Sequence, residues 1–154
     1  MSNISGVITA LNSRLEAVFP SGSGYFRLHD GVNVGQNANE HLTKGFGMTP
    51  GPAINTNRQL DKKMSVARDF IVTNTREVFS APFDVSSRLT TEKNLFEDQQ
   101  LLLADIEATP TLGDSSSVVK AVYTADNGIE TIFDDSDSHL MLRTIINIEY
   151  FEDI

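Results

Sequence analysis

The stretch LMLRTIINIEYF, residues 140–151, alternates two sets of side chains without interruption. A period of two places successive side chains on opposite faces of a sheet, so this stretch is predicted to be one long strand. The first set is Leu140, Leu142, Thr144, Ile146, Ile148 and Tyr150, and the second is Met141, Arg143, Ile145, Asn147, Glu149 and Phe151.

Other segments upstream also have strand patterns. Residues 62–79 are predicted to form a long strand, with Met64, Val66, Phe70 and Val72 at even offsets. VVKAVYT (118–124) and IETIF (129–133) flank ADNG, whose Asn127-Gly128 pair favours the positive φ of a type I′ turn and so predicts a hairpin. YFRLH (25–29) alternates over a shorter length and predicts a short strand.

Two amphipathic helices are predicted. One runs from residue 4 to 19 before Pro20, and the other ends before Pro110, with Thr90 and Thr91 as candidate caps and Glu92 in its first turn. The apolar stripes are Ile4, Val7, Ile8, Leu11, Leu15, Val18 and Phe19 in the first helix, and Leu95, Phe96, Gln99, Leu102, Leu103 and Ile106 in the second.

The stretch GVNVGQNANEHLTKGFGMTPGPAINTNRQ, residues 31–59, has neither period. Loops beyond about 15 residues in compact domains are usually functional or disordered. TPGP (49–52) is not expected inside a sheet, because proline lacks the amide donor that a sheet ladder needs. Residues 31–59 are therefore predicted to form an extended loop or arm.

The order of elements predicts an α+β fold: an antiparallel or mixed β-sheet with two amphipathic helices packed on one face, and a long protruding loop. The length and the lack of an internal repeat predict that residues 1–154 form a single domain. The absence of cysteine excludes disulfides and thiolate metal sites. No leader and no run of about 20 apolar residues is visible, so a soluble, intracellular protein without a membrane partner is expected.

The sequence predicts no catalytic residues, no cofactor and no metal site. His29, His41 and His139 form no ligand pair at helical spacing, and DDSDSH (134–139) lacks the glycine and glutamate of a calcium-binding EF-hand loop. GFGMTPG (45–51) has prolines where a phosphate-binding loop needs amides. The alternative hypothesis is a small enzyme or ligand-binding domain whose lid is residues 31–59 and whose ligand binding depends on His29 or His41.

The net charge of −9 opposes non-specific binding to DNA. Basic residues lie on or beside the strand at 62–79, whereas acidic residues crowd the last third of the chain. This is either a mixed-charge exposed face or a basic edge that meets an acidic segment of the next subunit in a head-to-tail ring. The candidate interface residues are Arg58, Lys62, Lys63, Arg68 and Arg76, together with Lys44, Phe46 and Met48 from the predicted loop.

This order of elements, closed by RTIINIEYFEDI (143–154), resembles the tail terminator proteins of long-tailed, siphovirus-like bacteriophages. These are small acidic α+β proteins that form a ring on the finished tail tube and join it to the head. The resemblance implies a non-catalytic homo-oligomer, a hexameric ring, located in the virion tail after assembly in the host cytoplasm. Its implied partners are the tail tube protein and a head-completion or neck protein.

The resemblance also gives roles to the loop and to acidic residues. Residues 31–59 would become ordered against neighbouring subunits or the tube. DNA would pass through the ring without specific binding, repelled by acidic side chains, for which Asp134, Asp135 and Asp137 are candidates. A head-tail connector or tail-completion protein of the same class of virus is the alternative among structural proteins.

Overall fold

A computed structural model describes residues 3–21, 23–28, 43–60, 63–78, 85–133 and 136–153. Its elements are α1 (Asn3–Val18), β1 (Phe26–Arg27), β2 (Lys44–Leu60), β3 (Lys63–Glu77), α2 (Val85–Ala108), β4 (Val118–Phe133) and β5 (Ser136–Asp153). The strands form one sheet in the order β1-β2-β3-β5-β4. β1 runs parallel to β2, and the other neighbours are antiparallel. The predicted α+β fold with a mixed sheet is confirmed.

Both helices pack on the same face of the sheet, as predicted. In β5 the even-numbered residues from Leu140 to Tyr150 are buried, whereas the odd-numbered residues between them are half-buried. One apolar cluster joins Leu11 of α1 and Leu102 of α2 to Ile146 on that even-numbered face. Such burial stabilises the fold by roughly 25 cal/mol per Å² of apolar surface, so the two stripes fix where the helices lie.

The predicted loop at residues 31–59 is wrong for its second half. Residues 44–59 belong to β2, which pairs with β3 along its length, while residues 31–42 lie outside the described residues. The pairing of β2 with β3 shifts register between Pro50 and Ala53, and Gly51 and Pro52 lie within this shift. In the described part of the chain β1 flanks β2 only at Gly45 and Phe46, so the prolines lie where the outer side of β2 has no strand partner that would need their amide donors.

The predicted hairpin at Asn127-Gly128 is also wrong. Residues 118–133 form the single strand β4, which pairs with β5 on both sides of this dipeptide. Gly128 has φ 72°, and the register shifts between Asp126 and Ile129, so the positive φ serves a bulge instead of a turn. The predicted last strand is confirmed as β5, which is a central strand between β3 and β4.

The second helix begins earlier than its predicted caps. α2 starts at Val85, and the hydroxyls of Thr90 and Thr91 donate to the carbonyls of Ser86 and Ser87, one turn before them. This is the bond that threonine makes inside a helix, so the two threonines are interior residues. Thr91 also donates to the carbonyl oxygen of Glu77 and so links α2 to the end of β3.

Candidate functional site

A cluster of polar side chains lies between α2 and the sheet. Tyr25 donates its hydroxyl hydrogen to Asp98 Oδ1 at 3.0 Å, and Arg76 forms an ion pair with the same carboxylate at 2.8 Å. Burial, together with the negative charge of Asp98, raises the pKa of Tyr25 to about 12. The Nζ of Lys44 lies 3.9 Å from the centre of the Tyr25 ring, in cation–π geometry.

The polar cluster continues along α2 to the next residue. Gln99 donates from Nε2 to Thr144 Oγ1 and to Asp126 Oδ2, both at 3.1 Å. The bond from Gln99 is the main cause that lowers the pKa of Asp126, and the amide of Gly128 adds to it. Thr144 lies on β5 between Leu142 and Ile146, which belong to two separate apolar clusters. The polar cluster therefore separates two halves of the core.

Asn74 is a buried polar residue whose side chain has no hydrogen-bond partner among the described residues. It is fully buried on β3, and its neighbours across the strands are Phe46 and Leu142. An unpaired buried donor or acceptor costs about 1–3 kcal/mol. An amide that stays without a partner at Asn74 would therefore weaken the fold between Phe46 and Leu142.

Only one of the three histidines lies in the part of the chain that the structure describes. His29 and His41 lie outside the described residues, and His139 is buried in β5, where burial lowers its pKa against the opposing effect of Glu77. No group of three or more metal-ligating side chains occurs among the described residues. Neither described helix combines the length and apolarity needed to span a membrane.

A groove of about 440 Å³ lies between the end of α2 and the free edge of the sheet at β4. We call it the edge groove. Val122 and Tyr123 at its margin are 42% and 40% exposed, which is high for large apolar side chains. The lining residues are Leu103, Ile106, Glu107, Pro110, Lys120, Ala121, Val122 and Tyr123.

On the side of the sheet away from β4, an apolar protrusion lies on β2 beyond the two residues that pair with β1. Residues Pro50, Pro52, Ala53 and Ile54 of β2 are exposed, and we call them the edge knob. The side chain of Ile54 is 69% exposed, more than any other large apolar side chain in the described residues. Arg68 holds the base of the edge knob by donating to the carbonyl oxygen of Gly51 at 2.8 Å.

The residues predicted to form a subunit interface have different environments. Phe46 is fully buried within the subunit, 5.6 Å from Phe19 between ring centres. Arg76 is largely buried in its ion pair with Asp98. Arg68 contacts Gly51 and Tyr150, while Met48 packs against the core.

Lys44 contacts Tyr25, as described above, and Lys63 is exposed at the start of β3. Arg58 lies in β2, and Lys62 lies outside the described residues. Of the predicted channel residues, Asp137 lies in β5, whereas Asp134 and Asp135 lie outside the described residues. The interface and channel predictions for these residues stay predictions.

Neither edge surface was predicted from the sequence. The edge knob lies in the stretch predicted to be a loop, where the irregular pattern around Pro50 and Pro52 hides the strand that exposes these residues. The edge groove requires α2 and β4 to meet, which no local pattern reveals. The one local signal is that Val122 and Tyr123, two large apolar residues, are adjacent in a predicted strand, so that they point to opposite faces.

Comparison with protein-family models gives no matching family, and comparison with curated proteins gives no match.

Proposed function

We propose that this protein is a structural subunit of a phage virion, a tail terminator that forms a ring at the end of the tail tube and offers a surface for joining the head. The observation that carries the proposal is the presence of exposed apolar surface on both edges of one sheet: Ile54 on β2, and Val122 with Tyr123 on β4. Exposed apolar clusters commonly mark contacts between proteins.

Two different surfaces on one subunit suit a ring. A heterologous contact, in which one patch meets a different patch of the next copy, closes into a ring when the rotation per step permits. A hexamer is the proposed stoichiometry, on the resemblance to tail terminators. Tail terminators are α+β proteins, and two helices on one face of a mixed sheet fit that description.

The net charge supports the remaining part of the proposal. At −9, the subunit repels the phosphate backbone, which suits a ring through which DNA passes without being held. The proposed partners are the tail tube protein on one side of the ring and a neck or head-completion protein on the other. The proposed location is the virion tail, after assembly in the host cytoplasm.

Mass measurement and electron microscopy test the proposal. The purified protein is analysed alone and after mixing with tail tubes of the phage that encodes it. We expect rings of uniform size, either free or at one end of each tube. A protein that stays monomeric and leaves tube ends bare under both conditions would refute the proposal. A label found at the portal-proximal neck, away from the tube end, would indicate a connector instead.

A further inference from the structure

Two features restrict the conformations open to the edge knob. Pro50 and Pro52 restrict the backbone, and Arg68 clamps the carbonyl of Gly51 between them. A rigid apolar protrusion loses little conformational entropy when it binds, so more of its burial energy is available for affinity. Ile54 projects from this rigid base with most of its side chain in solvent.

We propose that the edge knob of one copy inserts into the edge groove of the next copy, and that this contact builds the ring. The inference rests on the proposed function, for which it names the contacting surfaces. A groove of about 440 Å³ lined by Leu103, Ile106 and Pro110 has room for aliphatic side chains such as those of Pro52 and Ile54. Among the described residues, no strand covers the outer side of β2 beyond Phe46, and β4 ends the sheet on its other side, so each copy can use both surfaces at once.

Backbone pairing between the two edges is disfavoured, which leaves side-chain insertion as the mode of contact. Pro50 and Pro52 remove amide donors from β2. On the other edge, β4 shifts register against β5 at four points, and the amide of Ala121 already donates to the carbonyl of Pro110. Prolines and bulges are the devices that keep edge strands from pairing with other strands. Insertion of side chains into a groove does not require either edge strand to have the regular geometry that backbone pairing needs.

Charge also favours a second copy as the occupant. The guanidinium of Arg68 lies at the base of the edge knob, whereas the edge groove carries Glu107 in the last turn of α2. The carbonyl end of a helix has a partial negative charge, which adds to that of Glu107. Lys120 on the facing strand reduces this contrast without removing it, because the helix end remains negative. Opposite charges at the two surfaces orient the approach.

Single substitutions test each surface against a matched control. Ile54→Asp places a charge on the edge knob, and Val122→Asp places one in the edge groove. Val119→Asp is the control for the groove, since Val119 lies on the same strand and is 41% exposed but does not line the groove. Leu101→Asp is the control for the knob, at a side chain of α2 that is 53% exposed. All four positions are exposed, so the variants should fold, which circular dichroism checks.

The expected result is loss of the ring in Ile54→Asp and Val122→Asp, and rings like those of the unaltered protein in both controls. Mass photometry measures this on the free protein, or on tube ends if the ring forms only there. A ring that persists in either test variant overturns the inference but leaves the proposed function standing. An unaltered protein that never assembles overturns both. Rings that persist while Ile54→Asp no longer binds tubes would identify the tube protein as the occupant, and would also overturn the inference.

Mixing the two test variants gives a sharper result. Ile54→Asp keeps an intact groove, and Val122→Asp keeps an intact knob. An equimolar mixture should therefore form one-to-one heterodimers and nothing larger, because the second contact of each pair is blocked on both sides. A mixture that stays monomeric, or that forms complete rings, contradicts the pairing of these two surfaces.

Discussion

Arg76 donates to Asp98 from two nitrogens at once, Nε to Oδ2 at 2.9 Å and Nη2 to Oδ1 at 2.8 Å. The carboxylate is almost completely buried, and the pair connects β3 to α2. Tyr25, just before β1, donates to the same carboxylate. Three distant parts of the chain are thus joined at one acidic group, in a bidentate geometry that only arginine provides.

Removing the carboxylate should destabilise the fold strongly. Asp98→Ala leaves the Arg76 charge buried without a partner, and we expect a loss of about 3–5 kcal/mol in the free energy of unfolding. Urea unfolding followed by circular dichroism measures it. The double variant Arg76→Met with Asp98→Leu should lose much less, because no unpaired charge remains. Equal losses in the single and double variants would show that packing, and not the unpaired charge, sets the cost.

Replacing Asn74 with leucine should leave stability unchanged or raise it by about 1–3 kcal/mol, because two unpaired polar groups leave the core. The side chain is fully buried and faces Phe46 and Leu142 across the strands. Thr144→Val is the control on the neighbouring strand: it removes an acceptor of Gln99 and should destabilise. Denaturant midpoints compare the two. A clear loss of stability in Asn74→Leu would mean that the amide has a partner in solution.

A methyl group at Gly47 should disturb the contact between β1 and β2. Its added Cβ would lie 2.9 Å from the carbonyl oxygen of Leu28 and 3.1 Å from Leu28 Cβ. We expect Gly47→Ala to cost about 1–3 kcal/mol through overpacking. Hydrogen exchange should become faster at the amide of Leu28, which donates to the carbonyl of Phe46 at 2.7 Å. Gly113→Ala is the control: its φ of 75° strains alanine and lowers stability, but the added Cβ meets no neighbour, so exchange at Leu28 should not change.

His139 should make stability depend on pH in the mildly acidic range. Burial lowers its pKa below the ordinary value of 6.5, so the unfolded chain binds this proton more readily than the folded chain does. Its contribution to stability is complete above pH 6.5 and is lost as the pH falls through the folded value. His139→Gln should flatten the fall in urea midpoint between about pH 7.5 and pH 5. An unchanged slope would assign the effect to other groups.

Glu16 should affect stability over a separate, lower pH range. Hydrogen bonds from Ser21, and then from Arg27, lower its pKa from 4.5 to about 2. Its contribution is therefore present above pH 4.5 and is lost towards pH 2. In the Glu16→Gln variant, the fall in urea midpoint assigned to His139 should remain, and only the further fall below pH 4.5 should become smaller. This difference in pH range separates the two groups experimentally.

Much of the fold follows from the sequence because it depends on local periodicity. The stripe of Leu11 and Leu15 predicts a helix with one buried face, and the alternation from Leu140 to Tyr150 predicts a strand with one buried face. These patterns report which side of an element avoids water, so α1, β3, β5 and the shared helix face were all predicted correctly. The choice of an α+β fold follows from their order.

The tertiary structure alone decided the elements whose local signals have two meanings. Asn127-Gly128 supplies a positive φ for either a hairpin turn or a bulge, and pairing of residues on both sides with β5 selected the bulge. Pro50 is excluded from the interior of a sheet but not from its edge, and only the pairing register shows that β1 covers β2 at Gly45 and Phe46 and stops short of Pro50. The polar cluster at Asp98 and the two edge surfaces likewise depend on contacts between distant segments, because burial and exposure belong to the packed chain and not to any short stretch of it.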